Sequence, residues 1–402
     1  MNRLIQGTRN QKTSVPPVLP DGLTWETSTT ANLGLDFGVL DGRMRFAGDI
    51  YTRKTTDMFA VGIDLPATFG ATPPKGNYAD MKTNGWEITL SWRDDYKLAN
   101  KPFSYDVRVT LADYTSKIVK YTNPEMELGG YWDARVNYYE GMTLGEIWGY
   151  ETEGFFTSDE DVANHASQKL YYASNSGKWL PGDIKFKDLN NDEVIDYGTN
   201  KVNDSGDRKI IGNTTPRYTY SFNLGANWNN IFISAFLQGV GKQDWWPGTD
   251  NALFWGQYNR PYNNIPKSML GNIWSEDNPD AYFPRYRGYV ALQSSRELAV
   301  TQTRYLQNVA YIRLKNLQVG YNLPKNLVSS VRMQNARIYM SAENLWGWSP
   351  LYKITKNFDF GSIYGTDIEQ ANAVSSSGIA NGSQVYNYPI MKSISFGVSV
   401  TF

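Results

Sequence analysis

Hydrophobic and polar residues alternate strictly over the last ten positions of the chain, SISFGVSVTF. In a strand every second side chain lies on the same face, so this segment has one apolar face and one polar face. A strand of this kind packs its apolar face against a protein core or against lipid, while its polar face meets water. The apolar face holds Ile394, Phe396, Val398, Val400 and Phe402.

The same alternation recurs upstream in segments of roughly ten residues, the length that a tilted strand needs to cross a bilayer. Asp41-Gly42 and Asn229-Asn230 predict tight hairpin turns between neighbouring segments. A change of phase near Asn316 predicts a β-bulge. The upstream segments are LGLDFGVL, RMRFAGDIYTR, WEITLSWRDD, FSYDVRVTLADY, RYTYSFNLGANW, IFISAFLQGVGKQDWW, YIRLKNLQVGYNLP and ARIYMSAENLW.

The connections between these segments alternate in length. Short ones are expected at 41–42, 94–101, 229–230 and 324–335, and long ones at 60–81, 122–213, 247–303 and 348–388. Transmembrane barrels alternate tight turns on one side of the membrane with long loops on the other, whereas a sandwich has no reason to do so. We therefore predict an all-β fold, with about nine crossing strands of an antiparallel transmembrane β-barrel and long extracellular loops. Residues 144–156 are predicted to form a strand within a long loop.

Composition excludes several classes of protein. The 402 residues include 39 Lys and Arg against 40 Asp and Glu, so the formal charge of -1 gives no electrostatic basis for binding nucleic acid. The absence of cysteine rules out disulfides and thiolate metal sites. No stretch approaches the roughly eighteen apolar residues of a membrane helix. No secretion signal follows Met1, which leaves a soluble protein or a piece of a longer exported chain.

The sequence carries no motif for enzymatic chemistry. It lacks a GxSxG nucleophile elbow, an HExxH metal motif and a glycine-rich phosphate loop. His165 is the only histidine, and its polar context, SDEDVANH, predicts a solvated loop position rather than a catalytic base. We therefore expect that the protein is not an enzyme.

Aromatic residues crowd the predicted long loop at 247–303 and its border. Exposed rings beside polar residues can stack on sugar faces or pack against a partner. The alternative is that the rings pack the loop on itself and mark the bilayer interface. The candidate substrate-binding residues are Trp245, Trp246, Trp255, Tyr258, Tyr262 and Trp274.

The motif DLNNDEVID has the spacing of a calcium loop of the EF-hand type. Two positions depart from that pattern, because Glu193 replaces the usual glycine and Thr199 replaces the bidentate Glu. The alternative is a turn held by bonds from Asx side chains to the backbone. The candidate ligands of a structural calcium ion are Asp188, Asn190, Asp192, the carbonyl of Val194, and Asp196.

The polar faces of the first four segments carry charges of both signs. We expect them to face the barrel lumen and to form cross-strand ion pairs that steady its wall. These residues are Asp36, Arg45, Asp49, Arg53, Glu87, Arg93, Asp106 and Arg108.

Four blocks and the closing strand carry a resemblance to a known family. The blocks are TWETSTTANLGLDFGVLDGRMRFAGDIYTRKTTDMF, GDIKFKDLNNDEVIDYG, DRKIIGNTTPRYTYSFNLG and YIRLKNLQVGYNLP. Over about residues 20–402 the chain resembles the C-terminal half of SusC/RagA-type TonB-dependent transporters of Bacteroidetes. The terminal Phe402 matches the end signal that the barrel-insertion machinery reads in that family.

The resemblance implies a place in the outer membrane, within a 22-stranded barrel that encloses a plug and is surrounded by outer-membrane lipid. It implies import of oligosaccharides or peptides, powered through TonB, with a SusD-like surface lipoprotein as a lid. The family's plug, TonB-contacting segment and first strands have no counterpart in these residues. Residues 24–402 are therefore expected to be the C-terminal part of the barrel, and residues 1–23 an N-terminal segment or outer loop.

Several alternatives remain open from the sequence. The chain is a fragment of a longer protein, a half that pairs with a separate N-terminal half, or a truncated gene product, and the first is favoured. A siderophore transporter would share the barrel, but only SusC-like blocks are recognisable. A rival from another class is a soluble, aromatic-rich β module that binds carbohydrate. That rival predicts that Trp86, Phe222 and Val398 are sealed between two layers of a core.

Overall fold

The computed structural model consists mainly of antiparallel strands joined by short turns and long connections. It describes residues 3–5, 8–10, 22–62, 74–129, 137–168, 177–249, 251–262, 265–293, 296–330, 332–363 and 390–402. The strands are β1 (Arg3–Ile5), β2 (Thr8–Asn10), β3 (Thr27–Val39), β4 (Met44–Val61), β5 (Lys75–Leu98), β6 (Lys101–Lys120), β7 (Glu146–Tyr150), β8 (Thr152–Phe155), β9 (Ile184–Phe186), β10 (Arg208–Asn213), β11 (Arg217–Trp228), β12 (Ile231–Lys242), β13 (Asp244–Trp245), β14 (Gln307–Asn308), β15 (Tyr311–Asn322), β16 (Asn335–Trp348) and β17 (Ser393–Thr401). The α-helices are α1 (Asp159–Asn164), α2 (Ala252–Trp255) and α3 (Lys325–Ser330). Within the described ranges, no helix has the length and apolar character needed to span a membrane.

Nine of the strands form one antiparallel sheet. Its order is β3-β4-β5-β6-β11-β12-β15-β16-β17, so each strand pairs with the crossing segment that precedes or follows it along the chain. Among the described residues, β3 and β17 each have a neighbour on one side only. The prediction of an all-β fold with nine antiparallel strands in one sheet is confirmed.

The pairing register sorts the side chains of this sheet onto two faces. One row of directly opposed residues crosses eight strands and consists of Phe37, Phe46, Leu90, Val109, Phe222, Leu237, Leu314 and Trp346. The adjacent row on the other side consists of Asp36, Ala47, Thr89, Thr110, Ser221, Gln238, Arg313 and Gly347. We call these sides the apolar face and the polar face.

The apolar face stays open in the described part of the chain. Val398 is 68% exposed, and Trp86 and Phe222 are half-buried by their neighbours within the sheet. Among the described residues no second layer seals these three side chains, which is the opposite of what the soluble module predicts.

The short connections lie near the predicted positions but differ in length. The Asn229-Asn230 turn is confirmed, with φ of 47° and 71° between the paired residues Trp228 and Ile231. The prediction of a tight two-residue turn at Asp41-Gly42 was wrong, because Val39 pairs with Met44 and residues 40–43 form a four-residue loop. The connection predicted at 94–101 has only two residues in the structure, 99 and 100, because strand pairing continues to the Leu98 and Lys101 pair.

Three strands are longer than the predicted ten or so residues. β4 has 18 residues, β5 has 24 and β6 has 20. Their backbone pairing continues beyond the apolar rows into polar segments, where hydropathy no longer marks a strand. The bulge predicted near Asn316 is confirmed, because the register of β15 shifts between Leu314 and Asn316.

The long connections all lie at the end of the sheet opposite the short ones. They span 62–74, 121–216, 243–310 and 349–392, which confirms the predicted alternation. The single strand predicted over 144–156 is found as two short strands, because β7 pairs with β10 and β8 pairs with β9. Both pairs lie outside the large sheet and within a long connection, as predicted. Most of the predicted loop 348–388 lies outside the described residues, and the division between residues 23 and 24 stays a prediction.

Candidate functional site

Three of the four long connections pack together into one body at the end of the sheet opposite the short turns, which we call the outer end. We call this outer body the described residues of 121–216, 243–310 and 349–363. Its main core takes Ile184 and Phe186 from the first connection, Trp255 from the second, and Leu351 and Phe358 from the third. Because all three connections contribute to one core, the outer body packs as one unit rather than as a set of separate loops.

Five of the six candidate aromatic residues lie inside this core or at its edge. Trp245 and Trp246 are each 8% exposed, and Trp274 is stacked under the guanidinium of Arg285 at 4.6 Å. The polar atoms of two of these buried rings find partners within the outer body: Trp255 Nε1 donates to Pro247 O at 2.9 Å, and Tyr258 Oη donates to Pro284 O at 2.6 Å.

Tyr262 is the exception among the six, with 80% of its surface exposed. The five buried rings offer no free face to a ligand in this arrangement, which matches the alternative that the rings pack the loop on itself. Tyr262 remains available to an external molecule, and substrate contact by any of the six stays a prediction.

A buried ion pair joins two of the long connections. Arg287 Nη1 lies 2.5 Å from Asp183 Oδ2, and both side chains are almost fully buried. Burial raises the pKa of Asp183, and the charge of Arg287 only partly offsets this effect. Leu180 N also donates to the carboxylate at 2.8 Å. Removing one partner would leave a buried charge alone, so the pair fixes the relative positions of the two connections.

A hollow of about 390 Å³ opens where the outer body folds back over the polar face of β15 and β16. Its centre is an ion pair between Arg313 of β15 and Asp359. The side chain of Phe360 stacks on Tyr311 at 4.9 Å and fills the space above Gly347. The lining residues are Arg313, Asn344, Trp346, Gly347, Tyr352, Lys356, Asn357, Phe358, Asp359, Phe360, Ile390 and Lys392.

This hollow combines aromatic rings with charged and amide groups, which are the kinds of side chain that line ligand pockets. It also lies on the polar face, the side that would line a water-filled lumen. Sequence reasoning missed it. Arg313 has the parity of the polar face, but the sequence contains no signal that brings residues 352–360 back over β15.

The candidate calcium loop is held by its own backbone. Asp188 accepts the N–H groups of Asn191 at 2.6 Å and Glu193 at 2.9 Å, and Asp192 accepts that of Val194 at 2.9 Å. Asn191 and Glu193 both have positive φ, at 61° and 65°. These contacts fit the Asx-turn alternative.

A carboxylate outside the motif, Asp207, also reaches this loop. It is fully buried and accepts Leu189 N at 2.7 Å and Asp196 N at 2.8 Å. Burial raises the pKa of Asp207, and the nearby carboxylates of Asp188 and Asp192 raise it further. EF-hand spacing could not have found it, because it lies nineteen positions after Asp188.

The side chains of the described loop residues are not arranged around a common point where a metal ion would lie. Across the described ranges, no three His, Cys, Asp or Glu side chains converge as a group that could hold a metal ion. Whether the oxygens of Asp188, Asn190, Asp192, Val194 and Asp196 take a calcium ion stays a prediction.

His165 differs from its predicted solvated position. It is half-buried, its Nε2 lies 2.8 Å from Phe186 O, and its ring packs edge-on against Phe156 at 5.3 Å. The residue terminates α1 and closes the edge of the outer core, which is a structural role.

The predicted lumen charges share the polar face, as the register requires. Arg93 lies opposite Asp106, and Asp49 lies opposite Glu87. The expected ion pairs are absent, however, because no two of the eight charged residues approach within ion-pair distance of each other. Most of these side chains are exposed, and water screens their attraction.

Known proteins similar to this chain are receptors and transporters. TonB-dependent receptor P3 of Formosa agariphila is 28% identical over 331 residues, which cover 81% of this chain and 30% of that protein. TonB-dependent receptor SusC of Bacteroides thetaiotaomicron is 24% identical over 351 residues, which cover 84% and 30%. No family model matches the chain.

A solved structure shares the fold. The RagAB peptide importer in its closed-closed state matches with a TM-score of 0.62 and 21% identity, covering 94% of this chain and 36% of that one. The chain therefore spans about a third of the length of the proteins that it matches.

Proposed function

We propose that the chain forms wall strands and outer loops of an outer-membrane importer of the SusC type, because it is similar to about a third of the length of TonB-dependent receptors. The nine strands would cross the membrane with the apolar face toward lipid and the polar face toward the lumen. The outer body would lie on the extracellular side.

One observation carries this proposal. The strands present an uncovered apolar face together with a charged and hydroxyl-rich polar face, and every long connection emerges at the same end. In water an uncovered apolar face of this size would drive association, whereas in a bilayer lipid covers it.

The proposed cargo is an oligosaccharide or a peptide, taken up with energy from TonB and with a SusD-like lipoprotein above the outer body. The name of the RagAB peptide importer supports a peptide, and the exposed ring of Tyr262 suits both cargo classes. The relatives are named as receptors or transporters, which agrees with a protein that is not an enzyme.

Uptake by intact cells tests the proposal. We expect cells that express the protein to import fluorescent peptides or oligosaccharides, and a proton uncoupler to abolish import. Tyr262→Ala should weaken uptake, whereas Tyr96→Ala, at the short-turn end, serves as the matched control. Recovery of the protein in the soluble fraction without detergent would contradict membrane insertion and favour the carbohydrate-binding module.

A further inference from the structure

Three lysines stand side by side near the outer end of the apolar face. Lys54 of β4 lies directly opposite Lys82 of β5, and Lys82 lies directly opposite Lys117 of β6. We call this set the lysine row. Directly opposed residues have Cβ atoms about 5 Å apart, and like charges in such pairs destabilise a sheet.

The lysine row lies just beyond the apolar part of the face. Lys54 is four residues from Ile50 along β4, and Lys82 is four residues from Trp86 along β5. Four residues span about 13 Å of strand, or about 10 Å along the membrane normal at the usual tilt. That distance places the ammonium groups among the lipid headgroups, where long lysine side chains can extend toward the interface.

The described residues supply the lysine row with no counter-charge. All three side chains are exposed, and no carboxylate in the described part of the chain lies within ion-pair distance of them. The nearest acid along β5 is Asp80, which lies opposite Lys120 and accepts the N–H of Asp57 at 3.0 Å.

Another directly opposed pair of basic residues in the sheet does have carboxylate partners within the chain. Arg217 of β11 lies opposite Lys242 of β12. There the chain supplies acids, since Asp113 lies 2.5 Å from Arg217 and Asp244 lies 3.8 Å from Lys242. The contrast indicates that the counter-charge of the lysine row comes from outside the described part of the chain.

We propose that the lysine row binds the phosphates of an anionic lipid of the outer leaflet, and specifically a headgroup with two phosphates. Three ammonium groups on adjacent strands, spaced about 4.8 Å apart, span about 10 Å and can contact both phosphates of one headgroup. The proposal rests on the proposed function, because the apolar face must meet lipid.

Native mass spectrometry of the detergent-purified protein, titrated with bisphosphorylated lipid A, tests this site. The variant Lys54→Gln/Lys82→Gln/Lys117→Gln should bind the lipid about a hundredfold more weakly, since each lysine near a membrane surface contributes about fivefold. Lys97→Gln/Lys101→Gln/Lys325→Gln removes three exposed lysines at the short-turn end and should bind like the unmodified protein. Replacing the row with three arginines should retain binding.

Further arms separate the sources of binding. Lipid A stripped of its phosphates should bind the unmodified protein as weakly as the triple glutamine variant does. Inorganic phosphate should not compete at millimolar concentration, and competition would point to a free-phosphate site instead. If the glutamine variant binds the lipid as tightly as the unmodified protein, the lysine row is not a lipid site. The same conclusion holds if that variant keeps its lipid affinity but no longer captures a lipoprotein partner.

Membrane fractionation keeps the two proposals distinguishable. If the unmodified protein is in the outer membrane and the glutamine variant keeps its lipid affinity, the lysine row fails and the importer stands. If the unmodified protein is not in the membrane, the proposed function fails as well.

Discussion

The carboxylate of Asp359, which is largely but not fully withdrawn from water, accepts hydrogen bonds from three donors. Its Oδ1 accepts from Arg313 and from Gly361 N at 2.8 Å, and its Oδ2 accepts from Ile390 N at 3.0 Å. Ile390 lies just before β17, so one side chain connects β15, the outer body and the last strand. Such a charge-assisted set is strong because both partners are largely withdrawn from water.

Removing either charge should loosen this junction. We expect Asp359→Asn or Arg313→Gln to destabilise the outer body by about 3–5 kcal/mol, because the remaining charge stays buried without a partner. Amide hydrogen exchange at Gly361 and Ile390 should accelerate in both variants. Lys356→Gln, in the lining of the same hollow, should leave that exchange unchanged, and equal protection in all three would contradict the role of the pair.

Acid should release the same junction. Burial alone would raise the pKa of Asp359, but the N–H groups of Gly361 and Ile390 and the charge of Arg313 together bring it below its usual value near 4. A depressed pKa means that the stabilisation is complete above about pH 4 and is lost as the pH falls through the lower, folded value. Protection of the Ile390 amide should therefore persist at pH 5 and disappear only below pH 4, and loss of protection between pH 7 and 5 would contradict this.

Asp207 organises the turn-rich loop from outside the motif. Asp207→Asn should cost about 1–3 kcal/mol, because the amide offers an N–H₂ group where Leu189 N or Asp196 N needs an acceptor. Thermal unfolding measures the loss, and Asp204→Asn is a more exposed control. Calcium distinguishes the two interpretations of the loop: a rise of the unfolding midpoint in the unmodified protein alone indicates a metal site, whereas no change indicates the self-bonded turn.

At the scale of the elements, the hairpins depend on backbone conformations that few residues adopt. Asn229 and Asn230 both have positive φ, the requirement of a two-residue turn whose twist matches the strands. Asparagine tolerates this region, but a β-branched residue does not.

Substitution in this turn should therefore weaken one hairpin. Asn230→Val should cost about 1–2 kcal/mol and slow the pairing of β11 with β12. Asn227→Val, which lies in β11 on the polar face, should be close to neutral because valine suits a strand. Denaturant unfolding in detergent measures both, and equal effects would contradict the importance of the turn.

At the scale of the whole molecule, the two faces of the sheet should respond oppositely to charge. Ile88 and Thr89 are neighbours in β5, with Ile88 on the apolar face and Thr89 on the polar face. Ile88→Arg should cost about 2–4 kcal/mol if this face meets the bilayer midplane, and Thr89→Arg should cost little. Reversible unfolding in lipid vesicles measures the difference, and a tolerated Ile88→Arg would contradict the membrane orientation.

The free edges of the nine-stranded sheet also matter at this scale. In lipid each unpaired backbone group costs several kcal/mol, so β3 and β17 require partners on their open sides. This requirement agrees with the finding that the chain spans about a third of the length of the receptors that it matches, and it supports the expectation of further wall strands.

The sequence by itself determined the strands, their faces and the alternation of short and long connections. Strict alternation from Leu33 to Phe37, and again from Ile394 to Phe402, is a local property of neighbouring residues and survives without any knowledge of the fold. The predicted strand ends were inaccurate where apolar and polar residues no longer alternate, as in the polar outer halves of β4 to β6.

Only the tertiary structure decided which residues meet across long stretches of chain. Trp255 and Tyr258 were predicted from the sequence as candidate exposed loop rings, but both are buried in the outer body. No sequence motif indicated the partners of Asp207 and Asp359. The lysine row likewise depends on register, because Lys54, Lys82 and Lys117 become neighbours only when three strands pair. Contacts between residues far apart in sequence are set by how the chain packs, and periodicity carries no information about that packing.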